Sequence, residues 1–199
     1  MTGTYDWNPM PHRVSVRCPA CAQHAVFEFS EVVRIRRKVD IPFFRDNPLF
    51  EYALIQGAWA GTNWHGAVFY AGLHGSTAVL RKLPEGYAPE DWNHSRYMIR
   101  SRSTDRGTIV CAACGLRRKH SLVWPESAWF QIDYRGKTLW AFERESATAL
   151  RNHILSPDRK PTRRQRWASF LLHVPSAFLA AAARATVVKR LDRLLLAER

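Results

Sequence analysis

The four cysteines of this chain fall in two pairs of identical spacing, Cys18-Pro19-Ala20-Cys21 and Cys111-Ala112-Ala113-Cys114. Each pair sets two soft thiolates on one tight turn, and two such pairs supply the four ligands of a tetrahedral site. A fold built on this chain has to bring the two turns together across a long insertion. The spacing predicts one tetrathiolate zinc centre held by Cys18, Cys21, Cys111 and Cys114. Four sulfur ligands leave no position for water, so such a zinc is structural, and its binding energy stands in for hydrophobic core. Two other chemistries use CxxC pairs. A thioredoxin-type redox pair opens a helix after a buried strand, and the strand-rich pattern around both pairs argues against it. Iron–sulfur ligation uses the same thiolates and is left open by residue type.

The flanks repeat the symmetry. In Arg13–Arg17, Val14 and Val16 alternate with polar neighbours and deliver Cys18 as a strand would, and Thr108-Ile109-Val110 delivers Cys111 in the same way. Ala25 to Ile35 alternates again after the first pair. Strand–CxxC–strand is the outline of a zinc knuckle. Gly115 stands after Cys114, where a knuckle needs positive φ, whereas Ala22 takes that place in the first.

Between the halves, Asp40 to Gly107 reads as a β-rich insertion. Asn47 or Pro48 opens a short expected helix through Leu54 and Ile55. Trp59, Gly61, Trp64, Gly66, Gly72 and Gly75 suggest short strands and tight loops, Ser76–Leu83 a further short element, and Pro84-Glu85-Gly86 a turn. Tyr97–Arg102 reads as a strand with arginines on one edge. After the second pair, residues 128–142 form a hairpin, with Phe130, Ile132 and Tyr134 on one face and Arg135-Gly136 as a two-residue turn. Glu143–Leu155 switches to helical period, with Ala147, Leu150 and Ile154 on one stripe, and Ser156-Pro157 ends it. A second helical region begins near Trp167, and Pro175 kinks or splits it. Ser176–Glu198 reads as an amphipathic basic helix with Leu179, Ala183, Val187, Leu191, Leu194 and Leu195 on its apolar face. The expected architecture is α+β: a zinc ribbon with a long β-rich insertion, a β-hairpin and a helical C-terminal segment. In domain terms, residues 1–142 carry the ribbon with its insertion at about 40–107, and 143–199 the helical segment with a basic linker at 157–166.

Composition bears on partners. The net charge of +13 and a pI near 10.3 attract polyanions, nucleic acid first. The basic residues recur in clusters: Arg34, Arg36, Arg37 and Lys38, then Arg100 and Arg102, then Arg117, Arg118 and Lys119 beside the second cysteine pair, and finally Arg163, Arg164 and Arg166. Such side chains contact phosphates, while tryptophan and tyrosine rings stack on unpaired bases. Met1–Pro11 shows no secretory pattern, and the apolar stretch Trp167–Val188 is interrupted by His173, Pro175 and Arg184. A cytoplasmic protein with no membrane partner is expected.

No catalytic constellation emerges. His24 and His120 lie near the cysteines, and His65, His74 and His94 lie in the insertion, but none has the spacing of a catalytic metal site. Asn93-His94 resembles part of the zinc-containing His-Asn-His nucleases, without the further histidines that pattern needs. Asp133, Lys137 and Glu126 sit in a hairpin context wrong for a nuclease, and no P-loop, Gly-x-Ser-x-Gly or GxGxxG motif occurs. The leading expectation is a non-catalytic nucleic-acid-binding or nucleoprotein-assembly module, tolerant of sequence, on DNA or RNA. A protein-interaction subunit using the C-terminal amphipathic helix is the second, and a metal-dependent nuclease with its site in the insertion is the third.

From Cys111 onward the chain resembles uncharacterised bacterial zinc-ribbon proteins. The residues that carry the likeness are Cys111–Gly115, Arg117–His120, Trp124-Pro125, Arg135–Phe142 leading into Glu143–Leu155, and the basic helical tail. The resemblance spans about residues 108–199 and implies metal binding by the four cysteines.

Overall fold

In the computed structural model, the described residues are 10–56, 61–94, 105–158 and 166–198. Along the chain, β1 (Arg13–Arg17) runs into the first CxxC turn and β2 (His24–Phe29) runs out of it. β3 (Glu31–Arg34) comes just before the insertion, and α1 (Ile41–Asp46), β4 (Phe50–Gln56), β5 (Asn63–Phe69), α2 (Ala71–His74) and β6 (Asn93–His94) lie within it. β7 (Arg106–Val110) and β8 (Arg117–Ser121) flank the second CxxC turn. There follow β9 (Phe130–Tyr134), β10 (Lys137–Ala141), α3 (Arg144–Leu155), α4 (Ala168–Leu172), α5 (Ser176–Leu179) and α6 (Ala181–Ala197). The architecture is α+β, with antiparallel sheets and a helical C-terminal segment. Among the described residues no helix is long and apolar enough to cross a membrane.

Contacts divide the chain into two compact units, one of residues 26–123 and one of residues 1–25 with 124–199. In the first, one sheet has the order β4-β5-β3-β6, and its longest ladder pairs Phe50–Gln56 with Asn63–Phe69. Phe50 and Tyr52 face an aromatic core of Phe44, Phe69, Trp92, Leu80 and Val33, while Ala53 and Ile55 face Val32, Val68 and Tyr70. Both faces are apolar, which accounts for the aromatic richness of the insertion.

Two local expectations change here. Residues 50–56 are strand, not the end of a helix that opens at Asn47, and the helix lies earlier, at Ile41–Asp46, with Pro42 in its first turn. A period of two with buried apolar residues on each face, secured by seven pairs to β5, overrides the start signal at Asn47-Pro48. The alternating run from Ala25 to Ile35 is likewise two strands broken at the buried Ser30, and they join different sheets. β2 pairs with β7 and β7 with β8, in a sheet of order β1-β2-β7-β8. Gly107 is required in that ladder, because a Cβ there would lie 2.2 Å from the Glu28 carbonyl oxygen and 2.4 Å from the Phe27 ring. The expected strand at Tyr97–Arg102 lies outside the described residues.

The other unit is built on the hairpin. β9 and β10 pair from Lys137↔Tyr134 to Ala141↔Phe130, and Arg135 (φ 49°) with Gly136 (φ 72°) form the two-residue turn. Phe130, Ile132, Leu139, Leu150, Ile154, Phe170, Phe178 and Leu191 are buried in its core. α3 starts at Glu143, where the buried Ser146 hydroxyl accepts from the Phe142 and Glu143 amides, both at 2.9 Å. The boundary expected at residue 142 runs through this core, since α3 packs on β10 and α6 on β9. The last helix is broken at Ala180 (φ −60°, ψ 143°), which divides it into α5 and α6, and Pro175 caps α5. Ala183, Val187 and Leu191, on the apolar face of α6, are buried within this unit.

Candidate metal centre

Both CxxC turns close in the same way. The Cys18 amide donates to the Gln23 carbonyl at 2.8 Å, and the Cys111 amide donates to the Leu116 carbonyl at 2.8 Å, in each case five residues ahead. The Ala20 amide points at the Cys18 sulfur, 3.4 Å away, and an N–H placed there spreads thiolate charge. The residue after the second cysteine takes positive φ in both turns, +58° at Ala22 and +73° at Gly115.

The sulfur atoms of Cys18, Cys21, Cys111 and Cys114 all lie within 4.8 Å of one another, and none is in a disulfide. Four thiolates around a metal at about 2.3 Å sit about 3.8 Å apart at the corners of a tetrahedron, so this quartet has the donor set and the spacing to hold one metal ion. In each turn the first cysteine is buried (Cys18, Cys111), while Cys21 is half-buried and Cys114 exposed. Among the described residues this quartet is the one group of three or more metal-capable side chains gathered in this way. His65, considered for a nuclease site, bonds instead to Tyr52 through Nδ1 at 2.6 Å.

The basic residues divide into two sets. Arg37 forks onto the buried Asp40 carboxylate at 2.9 and 3.1 Å and donates to the Glu85 carbonyl at 3.3 Å, holding the Asp40 carboxyl below its usual range. Arg36 donates to the Gly86 carbonyl, pairs with Asp91 at 3.3 Å and lies over the Tyr87 ring. Arg117 donates to the Gly72 and Leu73 carbonyls at 2.7 and 3.2 Å. Arg166 pairs with Glu143 and Glu145 and stacks over Trp167. These arginines are exposed but tied to the protein, whereas Arg34, Lys38 and Arg118, also exposed, pair with no carboxylate among the described residues. Arg100, Arg102, Arg163 and Arg164 lie outside the described residues.

Lys119 belongs to an arrangement that the sequence does not announce. Its Nζ donates to Glu51 Oε2 at 2.7 Å and lies 4.6 Å from the Tyr70 ring centre. Arg106 donates to Glu51 Oε1 at 2.8 Å, and the Tyr70 hydroxyl donates to Oε2 at 3.1 Å. Burial works to raise the Glu51 carboxyl, but bonds from Lys119 and Tyr70 and the charges of Lys119 and Arg106 outweigh it and hold it below its ordinary value. Burial and the Glu51 charge push the Tyr70 hydroxyl up. His120, beside them, is lowered by burial and then by Arg118. The one sequence signal is Glu51 itself, a carboxylate between Phe50 and Tyr52 in a strand with two apolar faces.

Scanned against protein-family models, curated proteins and solved structures, the chain finds no match.

Proposed function

We propose that the protein is a non-catalytic nucleic-acid-binding or nucleoprotein-assembly module in which one zinc ion, held by Cys18, Cys21, Cys111 and Cys114, is a structural staple. The observation that carries this reading is the sulfur quartet, within 4.8 Å, with a basic strand issuing from its second knuckle. Four thiolates complete a tetrahedral shell, which leaves the metal no site for substrate or water and assigns it to folding rather than chemistry. Zinc suits four thiolates without redox change, and it fixes the direction in which each knuckle releases its strand.

The second knuckle leads into β8, whose Arg117, Arg118 and Lys119 are exposed and held in order by pairing to β7. With a net charge of +13, this surface favours phosphate contact that tolerates sequence. The ion pairs of Lys119 and Arg166 do not remove them as contacts, because Lys119 keeps N–H groups to donate while bound to Glu51 and the exposed pairs of Arg166 contribute only about 0–1 kcal/mol.

Two measurements test the reading. Metal analysis of the purified chain finds one zinc per chain, and iron or a second metal overturns the assignment. Titration against single- and double-stranded oligonucleotides finds affinity that falls steadily as salt rises, with a slope that counts the phosphates contacted. Absence of binding at low salt sinks the nucleic-acid half.

A further inference from the structure

We propose that the cleft bordered by Arg106, Arg118, Lys119 and Ser121, with Glu51 and Tyr70 at its base, is a binding site for a dianionic phosphate monoester. The cleft is open and encloses about 460 Å³, room for a phosphate and part of the molecule that bears it. It lies wholly within the unit of residues 26–123. No cysteine lines it, and it goes beyond the nucleic-acid reading, sharing only Arg118 and Lys119 with it.

Charge selects the ligand. Arg106, Arg118 and Lys119 bring three positive charges and Glu51 one negative, while His120, lowered by burial and by Arg118, is neutral at pH 7. The surplus is two positive charges. A phosphate monoester carries about −1.5 to −2 near neutrality, whereas each phosphate inside a nucleic-acid strand carries about −1.

Geometry supports the same choice. Glu51 engages one Nη of Arg106 and the Lys119 ammonium, which fixes both cations at the wall and leaves each with further N–H groups to donate. Arg118 is exposed and bound to no carboxylate among the described residues, and the Ser121 hydroxyl adds a donor. The register Arg106↔Ser121 and Thr108↔Lys119 sets Arg106, Lys119 and Ser121 on one face by strand pairing rather than by a loop, while Arg118, paired with Ile109, starts from the other face of this strand and lines the cleft. Among the described lining residues the Tyr70 ring offers no face for stacking, because it is 3% exposed and covered by Lys119.

The test is a calorimetric titration of the zinc-loaded full chain with inorganic phosphate at fixed ionic strength. Saturable one-to-one binding is expected, weakened about tenfold by Arg118→Ala, the loss of one charge-assisted contact. Arg118 is exposed, so this variant keeps the fold, and an unchanged thermal midpoint verifies it. A second arm compares 5′-phosphorylated and 5′-hydroxyl oligonucleotides of one sequence. A preference for the phosphorylated strand, relieved by inorganic phosphate, identifies nucleic-acid ends as the source of the ligand. Saturable phosphate binding without that preference identifies a small free phosphomonoester. No saturable phosphate binding, or binding that Arg118→Ala leaves intact, overturns the site. Salt-sensitive oligonucleotide binding that survives such a result keeps the proposed function, so the two readings fail separately.

Discussion

The two knuckles are the same device made from different residues. Both end in a bond from the first cysteine's amide to a carbonyl five residues on, and both place the residue after the second cysteine at positive φ. The second meets that demand with Gly115, which adopts such backbone at no steric cost, while the first meets it with Ala22, whose Cβ crowds the neighbouring carbonyl. The closing bond and the convergence of the sulfurs therefore dictate the backbone, and the residue type follows only where chemistry makes it cheap. The first turn carries strain that the second does not.

The largest test of that equivalence removes the ligands. Cys18 and Cys111 occupy matching, buried positions, so Cys18→Ser and Cys111→Ser should both abolish stoichiometric metal binding and lower stability by several kcal/mol, to similar extents. Metal content and denaturant unfolding of the two variants check it. Retention of metal by Cys18→Ser alone would break the symmetry and show that Cys18 is not a required ligand. A strong chelator acting on the unmodified chain should reproduce the same loss, reversed by adding zinc.

A smaller effect sharpens the contrast within the turns. A Cβ at Gly115 meets nothing within 4 Å, so Gly115→Ala sets the backbone cost of about 1–2 kcal/mol against a gain of about 0.4–1 kcal/mol from the stiffer unfolded chain, a net loss below about 1.6 kcal/mol. Ala22→Gly runs the other way. It relieves that strain but frees the unfolded chain, which offsets about 0.4–1 kcal/mol, so the net gain is below about 1.6 kcal/mol. Opposite signs in thermal unfolding confirm that the knuckles share one geometry; losses in both variants would refute it.

What could be read from the sequence follows from the range of the interactions involved. The cysteine quartet, the strands leading into it, the Arg135-Gly136 turn and the Ala147–Leu150–Ile154 stripe all rest on spacing within a few residues. Each is found where its pattern puts it. β4 was not legible, because Asn47-Pro48 mimics a helix start and only the ladder to β5 decides otherwise. Arg36 and Arg37 read as a free basic face, yet Arg37 forks onto Asp40 three residues on, and their further partners at Glu85, Gly86 and Asp91 are far along the chain. The Glu51 cleft escaped for the same reason: β4, β5, β7 and β8 must be assembled before its charges meet. Positive φ at an alanine leaves no trace in sequence at all.

The smallest predicted effect concerns the histidines that follow the knuckles. Burial lowers both His24 and His120 below the ordinary imidazole value near 6.5, but their neighbours act in opposite directions. Glu198, 3.2 Å from His24, partly restores its affinity for a proton, whereas Arg118 depresses His120 further. Because the fold favours the neutral rings, their contribution to stability is complete above about pH 6.5. It declines as pH falls from there to the folded pKa and is level below that. Imidazole resonances followed by NMR should give both midpoints below 6.5. Glu198→Gln should move His24 lower still, and Arg118→Ala should move His120 up toward the free value. Shifts of the same sign would mean that the two rings sit in equivalent electrostatic surroundings, and the likeness of the knuckles would then extend beyond their backbones.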